Sequence, residues 1–545
     1  MDSAPRHTVL VIGLDGFDVG FADRLMAQGE LPYLRALRDR GARFLLDHGA
    51  ATRTGLAWEH FASGLTPESA QRSAIVMLDP STYEVWQEGA WFEPFVAQLD
   101  ARCIIFDAPY ADLARTPEIR GIVGWGAHDP GVPTTTHPGD LAGDVPCYPG
   151  SEWLYAVPWP SVEQTKAMGA GLVEGIATRS RVANWLLNEQ FGDWDLAVIV
   201  AGEPHSAAEA FWHGVDSSHP LHEHESAPFA AEALTNVYRE IDRFVATLVD
   251  TCNPAAVVVF SMGGMGPNQS DIASMVLLPE LIFRWTGHEA LLDVPLEWSN
   301  APAEWPVLAD GISWDRATAG WYPGTRERRA VTRVGLRLVP SQLKRWLRKP
   351  QGAPTYRSSS PRALPLDWQP ATRYREWWPQ MQAFAIPSFY DGRIRVNLRG
   401  RERDGVVDPS NYETVLEELE SLIRACQDPH TGEPAAATIE RSGISDPALL
   451  QGTDADLMVV WNRSLCGLEH PEHGLIGPVP FRRTGGHTGP FGFAVVVGNR
   501  AEVGDHGVRS AFDVAPTVVD LVGGSPLKNM DGRSLLSVPI ASRVR

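Results

Sequence analysis

The chain has 545 residues, 44% of them hydrophobic, and a formal charge of −20. It is long enough to bury a large core, as several domains or as one α/β domain with insertions. So acidic a chain is not expected to bind nucleic acid as a whole, which takes clustered Lys and Arg, and no apolar run reaches the ~18 residues of a membrane span.

The N-terminal MDSAPRHTVLVIGLDG runs almost at once into an apolar strand, Thr8–Leu14, without the layout of a signal peptide. Similar β-branched runs follow at Leu196–Ala201, Ala256–Phe260, Leu457–Trp461 and Phe493–Gly498. Continuous apolar runs of this length suit strands buried on both faces of a mostly parallel sheet. Helical patterns lie between them at Phe21–Gly41, Lys166–Glu189, Ala230–Asp250 and Tyr412–Cys426. The alternation predicts a doubly wound α/β fold, whose chemistry sits at the C-terminal ends of the strands.

Residues 286–454 read as an inserted cap within a core of 1–285 and 455–545, with an α+β portion over 380–454. Between Arg326 and Arg375, 13 Lys and Arg stand against only Glu327 and Asp367, a reversal of sign within an acidic chain. Two main readings stay open, a solvated basic surface or an electrostatic funnel for an anionic substrate, with a membrane-surface role for its short amphipathic helix as a weaker third. The five cysteines are scattered with no CxxC pair, which argues against a disulfide scaffold and a zinc–cysteine site. A cytoplasmic protein is expected; its oligomeric state is not readable.

The first strand ends at Asp15, placed to point a carboxylate into a cleft. ATRTGLAWEH follows, a hydroxyl-bearing turn before a helix, where Thr52 or Thr54 either caps the helix or attacks an anion bound at its free amides. After Leu196–Ala201 comes GEPHSAAEAFWHG, with His205, Glu209 and His213 at i, i+4 and i+8. A His/Glu/His stripe directly after a buried strand has metal-ligand spacing, with at least two of the three expected to ligate. His128 and Asp129 in GWGAHDPG are either a base and its orienting acid or a loop anchor.

The order of these motifs resembles the alkaline phosphatase superfamily, in particular its type I phosphodiesterase/nucleotide pyrophosphatase branch. Thr52-Arg53-Thr54 is similar to that branch's TKTxPNH segment, GEPHSAAE to EEPDxxGH, SMGGMG (261–266) to SDHGMG, and GGHTGPFG to its late Gly-x-His segment. The resemblance implies a central mostly parallel sheet with helices on both faces and an inserted cap. It also implies a Thr54 nucleophile, with Asp15 orienting it or a weakly held second ion. Arg53, or an Arg of the basic segment, is the candidate for stabilising the developing charge.

For cofactors, the resemblance implies a divalent metal, zinc first with manganese or iron as alternatives, held by His205, Glu209 and His487. The family's Asp and His have exchanged types at 205 and 209. The second ion's Asp-His pair is replaced by Met262 and Gly263, leaving only Asp15 and Thr54, so one ion is expected rather than two. Asp271 is a candidate replacement carboxylate, and Ala57 stands where the family has a phosphate-binding Asn. The expected function is metal-dependent hydrolysis of a phosphate ester or diester, or a related sulfate or phosphonate ester, on a small anionic substrate. The alternative is a non-hydrolytic descendant that binds a phosphorylated ligand or transfers another group.

Overall fold

VLVIGL, buried at every position, forms strand β1, Val9–Leu14. In this computed structural model residues 8–126, 133–153, 161–302, 304–322, 364–525 and 527–537 are described. His128, Asp129 and most of the basic segment, 326–363, lie outside them.

The chain divides into two units, one of residues 1–75, 89–268 and 483–545, the other of 76–88 and 269–482. The second unit thus takes in residues 269–285 and 455–482 as well as the expected cap.

The first unit is built on nine strands: β1, β2 Ala42–Asp47, β3 Cys103–Phe106, β4 Arg120–Val123, β5 Thr135–His137, β6 Leu196–Ala201, β7 Ala256–Ser261, β8 Gly492–Gly498 and β9 Gly504–Ser510. Their order is β9-β2-β8-β7-β1-β6-β3-β4-β5. The centre, β7-β1-β6-β3-β4, is parallel throughout. The apolar run of β8 predicts one more strand of the mostly parallel sheet; it runs antiparallel to both β7 and β2.

Three helices, Val162–Trp185, Glu203–Val215 and Ala227–Cys252, pack together, and their apolar faces enter one core with β1 and β6. Ala227–Cys252 buries Leu234, Val237, Tyr238, Ile241, Val245 and Leu248 at three- and four-residue spacing. Each buried aliphatic side chain contributes about 1.5–3 kcal/mol. The expected helix Phe21–Gly41 is two helices, Val19–Ala27 and Pro32–Asp39. Gly29 turns left-handed at φ +81° and Pro32 opens the second helix, so the pattern could not continue through them.

The second unit holds a four-stranded antiparallel sheet in the order Ala383–Ile386, Gly392–Val396, Leu457–Trp461, Ala436–Arg441. Leu457–Trp461 therefore belongs here and not to the parallel sheet. No helix among the described residues is long and apolar enough to cross a membrane.

Candidate active site

Asp15 follows β1 directly, and its amide bonds the carbonyl of Ala201 at the end of β6 (2.9 Å). The next residue, Gly16, has φ +61°, and a Cβ there would lie 2.5 Å from the Cα of His205. Only glycine permits both that conformation and that approach. The turn thereby lays the Asp15 carboxylate against the first turn of Glu203–Val215, where Pro204 suits a helix start.

On that helix His205 and Glu209 lie one turn apart. His205 Nδ1 is 2.9 Å from Asp15 Oδ2, and its Nε2 is 3.1 Å from Glu209 Oε1. His487 arrives on a two-stranded antiparallel ribbon in which Gly485–Gly489 pairs with Gly264–Pro267. Its Nε2 is 3.1 Å from Nε2 of His205. Arg483, just before the strand Gly485–Gly489, bonds Glu209 Oε1 through Nη1. The structure thus brings Asp15, His205, Glu209 and His487 into one knot at the C-terminal ends of β1 and β6.

Burial alone would raise the Asp15 carboxyl. The charge and hydrogen bond of His205, with help from His487 and the Trp58 indole, outweigh it and hold the group down at about 2. Burial alone would depress His205, but the carboxylates of Asp15 and Glu209 hold it well above the ordinary imidazole range. Trp58, standing where the family motif ends in His, thus gives its indole N–H to Asp15.

Other candidates lie elsewhere. His213 faces Thr484 Oγ1 (3.3 Å) and Ser226 Oγ (3.0 Å), and burial depresses its pKa to about 3. Asp271 is in the second unit, where its carboxylate pairs with Arg482 at 2.9 Å. Thr54 is buried at the end of the 3₁₀ segment Gly49–Thr54. Its hydroxyl donates to the carbonyl of Ala51 (2.8 Å) and accepts from the amide of Leu56 (3.1 Å). It therefore closes a turn, while Leu56 occupies the N-cap position of the following helix, Ala57–Ser63. Arg53 is half-buried beside it. Met262 is buried, and a Cβ on Gly263 would meet nothing within 4 Å.

A second buried network supports the knot from below. Arg179, fully buried, pairs with Asp107 after β3 (2.7 Å) and with Glu203 at the helix start (2.9 Å), and donates to the carbonyl of Val200 (2.9 Å). Sequence reasoning missed Arg179, Trp58 and Arg483. The basic doublet Arg482-Arg483, one residue ahead of Gly485-Gly486-His487, is the signal for the last.

The type I phosphodiesterase/nucleotide pyrophosphatase family matches residues 9–474. The chain belongs to that family. Membership makes it an enzyme of the phosphoester-hydrolase type. No curated protein matches the sequence. Among solved structures it is similar to phosphonoacetate hydrolase from Sinorhizobium meliloti 1021 in complex with phosphonoformate, at 14% identity and TM-score 0.48, over 95% of this chain and 96% of that one. Human ectonucleotide pyrophosphatase/phosphodiesterase 5 is similar at 9% identity and TM-score 0.46, over 96% of this chain and 97% of that one. The murine protein, in complex with AMP, matches at 11% identity and TM-score 0.45 over the same shares.

Proposed function

We propose that this family member hydrolyses a small phosphate ester or diester, or a related phosphonate or sulfate ester, with Thr54 as nucleophile and one divalent ion on His205, Glu209 and His487. The observation that carries this reading is the convergence of Asp15, His205, Glu209 and His487 from three distant stretches of a chain that belongs to a phosphodiesterase family.

Among the described residues no three His, Cys, Asp or Glu side chains form a ready metal cluster, and the four groups of the knot bond to one another. Their chemistry nevertheless suits an ion. Two imidazoles and one carboxylate are a donor set of catalytic zinc sites. The two 3.1 Å separations around His205 Nε2 approach the edge of about 3.3 Å expected between donors about 2.0–2.1 Å from zinc. Asp15 on Nδ1 is then the outer carboxylate that fixes the ring and its tautomer. Zinc is the first choice, with manganese or iron as alternatives. When bound, the ion supplies Lewis-acid stabilisation of charge on the phosphoryl oxygens.

The chain's own residues do the rest. Asp15 and Trp58 fix the ring of His205, and Arg483 holds the carboxylate of Glu209. Thr54 must exchange its bond to Ala51 for the substrate before it can attack, and Arg53 is the adjacent cation for the developing charge. All five cysteines are free thiols, consistent with the cytoplasmic location we assign.

The non-hydrolytic reading has one specific support: the Thr54 hydroxyl is already satisfied inside its own turn, beside a motif in which Met262 and Gly263 offer no oxygen or nitrogen ligand. Metal analysis and turnover of an aryl phosphodiester by wild type and Thr54→Ala separate the two readings. About one ion per chain, with turnover lost in the variant, supports hydrolysis. An inert wild type across phosphate, phosphonate and sulfate esters rules it out.

A further inference from the structure

Resting on that reading of the metal site, we propose that Arg483 is a resident cation that competes with the divalent ion for Glu209 and so sets how tightly the site holds metal. Its Nη1 bonds Glu209 Oε1, the same oxygen that faces Nε2 of His205 at 3.1 Å. A ligand oxygen needed by an ion is thus already shared between a guanidinium and an imidazole.

The contact is built in. Thr484, the next residue, gives its amide to the carbonyl of Glu209 at 2.8 Å, so the loop carrying Arg483 is tied to the very residue its side chain reaches. The Arg483 side chain is 11% exposed and that of Glu209 5%, so little water screens the pair. A guanidinium does not give up its proton at any working pH, so this positive charge is permanent.

Within the knot, the carboxylates of Asp15 and Glu209 are the groups that attract a cation, and the rings of His205 and His487 ligate one only as neutral imidazoles. Arg483 cancels one unit of that attraction and repels the incoming ion. The site therefore holds its metal more loosely than the same donors would without Arg483. An orienting role alone predicts the opposite sign, since losing the partner that aligns a ligand weakens metal binding.

Calorimetric titration of zinc and manganese into chelator-stripped wild type, Arg483→Gln and Arg483→Lys tests this, with Glu209→Gln as the blank for binding elsewhere. Arg483→Gln should bind the ions at least about tenfold more tightly, and Arg483→Lys, which keeps the charge, should stay within about threefold of wild type. Equal or weaker binding by Arg483→Gln overturns the inference while leaving the metal reading intact. No binding by wild type or either variant overturns both. Should Arg483→Gln fail to fold, a zinc-bound structure of the wild type decides. Arg483 swung off Glu209 supports competition, and Arg483 still on Glu209 beside the ion refutes it.

Discussion

Asp15 Oδ2 and His205 Nδ1 lie 2.9 Å apart although 190 residues separate them in the chain. The contact exists because β1 and β6 are parallel neighbours, so the residues that follow them emerge at the same edge. Ordinary packing would leave the two backbones farther apart; the bare Cα of Gly16 closes the gap. The pairing of carboxylate and imidazole is thus a consequence of sheet order and one missing side chain.

Gly16→Ala should therefore loosen the site more than an equivalent change elsewhere. Its Cβ would sit 2.5 Å from the His205 Cα, on a backbone at φ +61°. The left-handed conformation costs roughly 1–2 kcal/mol and the overlap adds about 1–3 kcal/mol. Gly29→Ala is the matched control, because φ is +81° there but nothing lies within 4 Å of the added carbon. Denaturant melts should show Gly16→Ala as the more damaging, with turnover falling alongside. Equal losses would mean that the approach to His205 is not tight.

Arg179→Met tests the network beneath the knot. It would strand the carboxylates of Asp107 and Glu203, both fully buried, without their shared cation. Breaking a buried pair from one side typically costs about 3–5 kcal/mol. Chemical denaturation should show a loss of that order, and the surviving folded protein should bind metal more weakly because Glu203 opens the helix that carries His205. A loss below about 1 kcal/mol would show the network to be slack.

Buried neutral imidazoles make the fold acid-sensitive. Burial, reinforced by the neighbouring His219, His224 and His222, depresses His213 to about 3 from an ordinary 6.5. Burial likewise depresses His48 and His219 to about 4. For each, the unfolded chain takes up a proton below pH 6.5 that the native state refuses. The stability these groups contribute is thus present above 6.5 and drains away as the pH falls towards the folded values. Each unit of pH in that window removes up to about 1.4 kcal/mol per histidine. Denaturation midpoints of wild type and His213→Gln from pH 7 to pH 4.5 should converge as the pH falls, the variant having one fewer such group. Parallel curves would show that His213 does not titrate this way.

The contrast between His205 and His213 shows how far a sequence can be read. Both stand on the helix after a buried strand, at positions that suggest a single stripe. A helix advances 100° per residue, so i+4 falls about 40° past i while i+8 falls about 80° past it. Glu209 stays beside His205, but His213 has rotated towards Ser226 and Thr484. Asp15 and His487 are legible because the first directly follows a strand and the second ends a Gly-x-His segment. Arg483, Trp58 and Arg179 were not, because their roles rest on which distant backbone each side chain reaches. The break at Gly29 and Pro32 was legible in the residues themselves, and the apolar periodicity on either side masked it.

Restoring the lost pair asks whether the vacated ligand positions still have room for chemistry. Gly263 has open space where a side chain would project, so a histidine there need not displace packed atoms. Met262 is buried, and an aspartate in its place gains stability only if a cation or donor meets it. The double variant Met262→Asp/Gly263→His should therefore be less stable than wild type in chelator and regain stability with zinc. Its metal content should rise towards two ions per chain, and its aryl phosphodiester turnover should rise on the order of tenfold or more, since a second ion lowers the nucleophile's pKa. Metal uptake without faster turnover would show that the Thr54 turn, locked by Ala51 and Leu56, is the remaining obstacle. No extra metal at all would show that the position has been rebuilt around the Trp58–Asp15 bond and can no longer hold an ion.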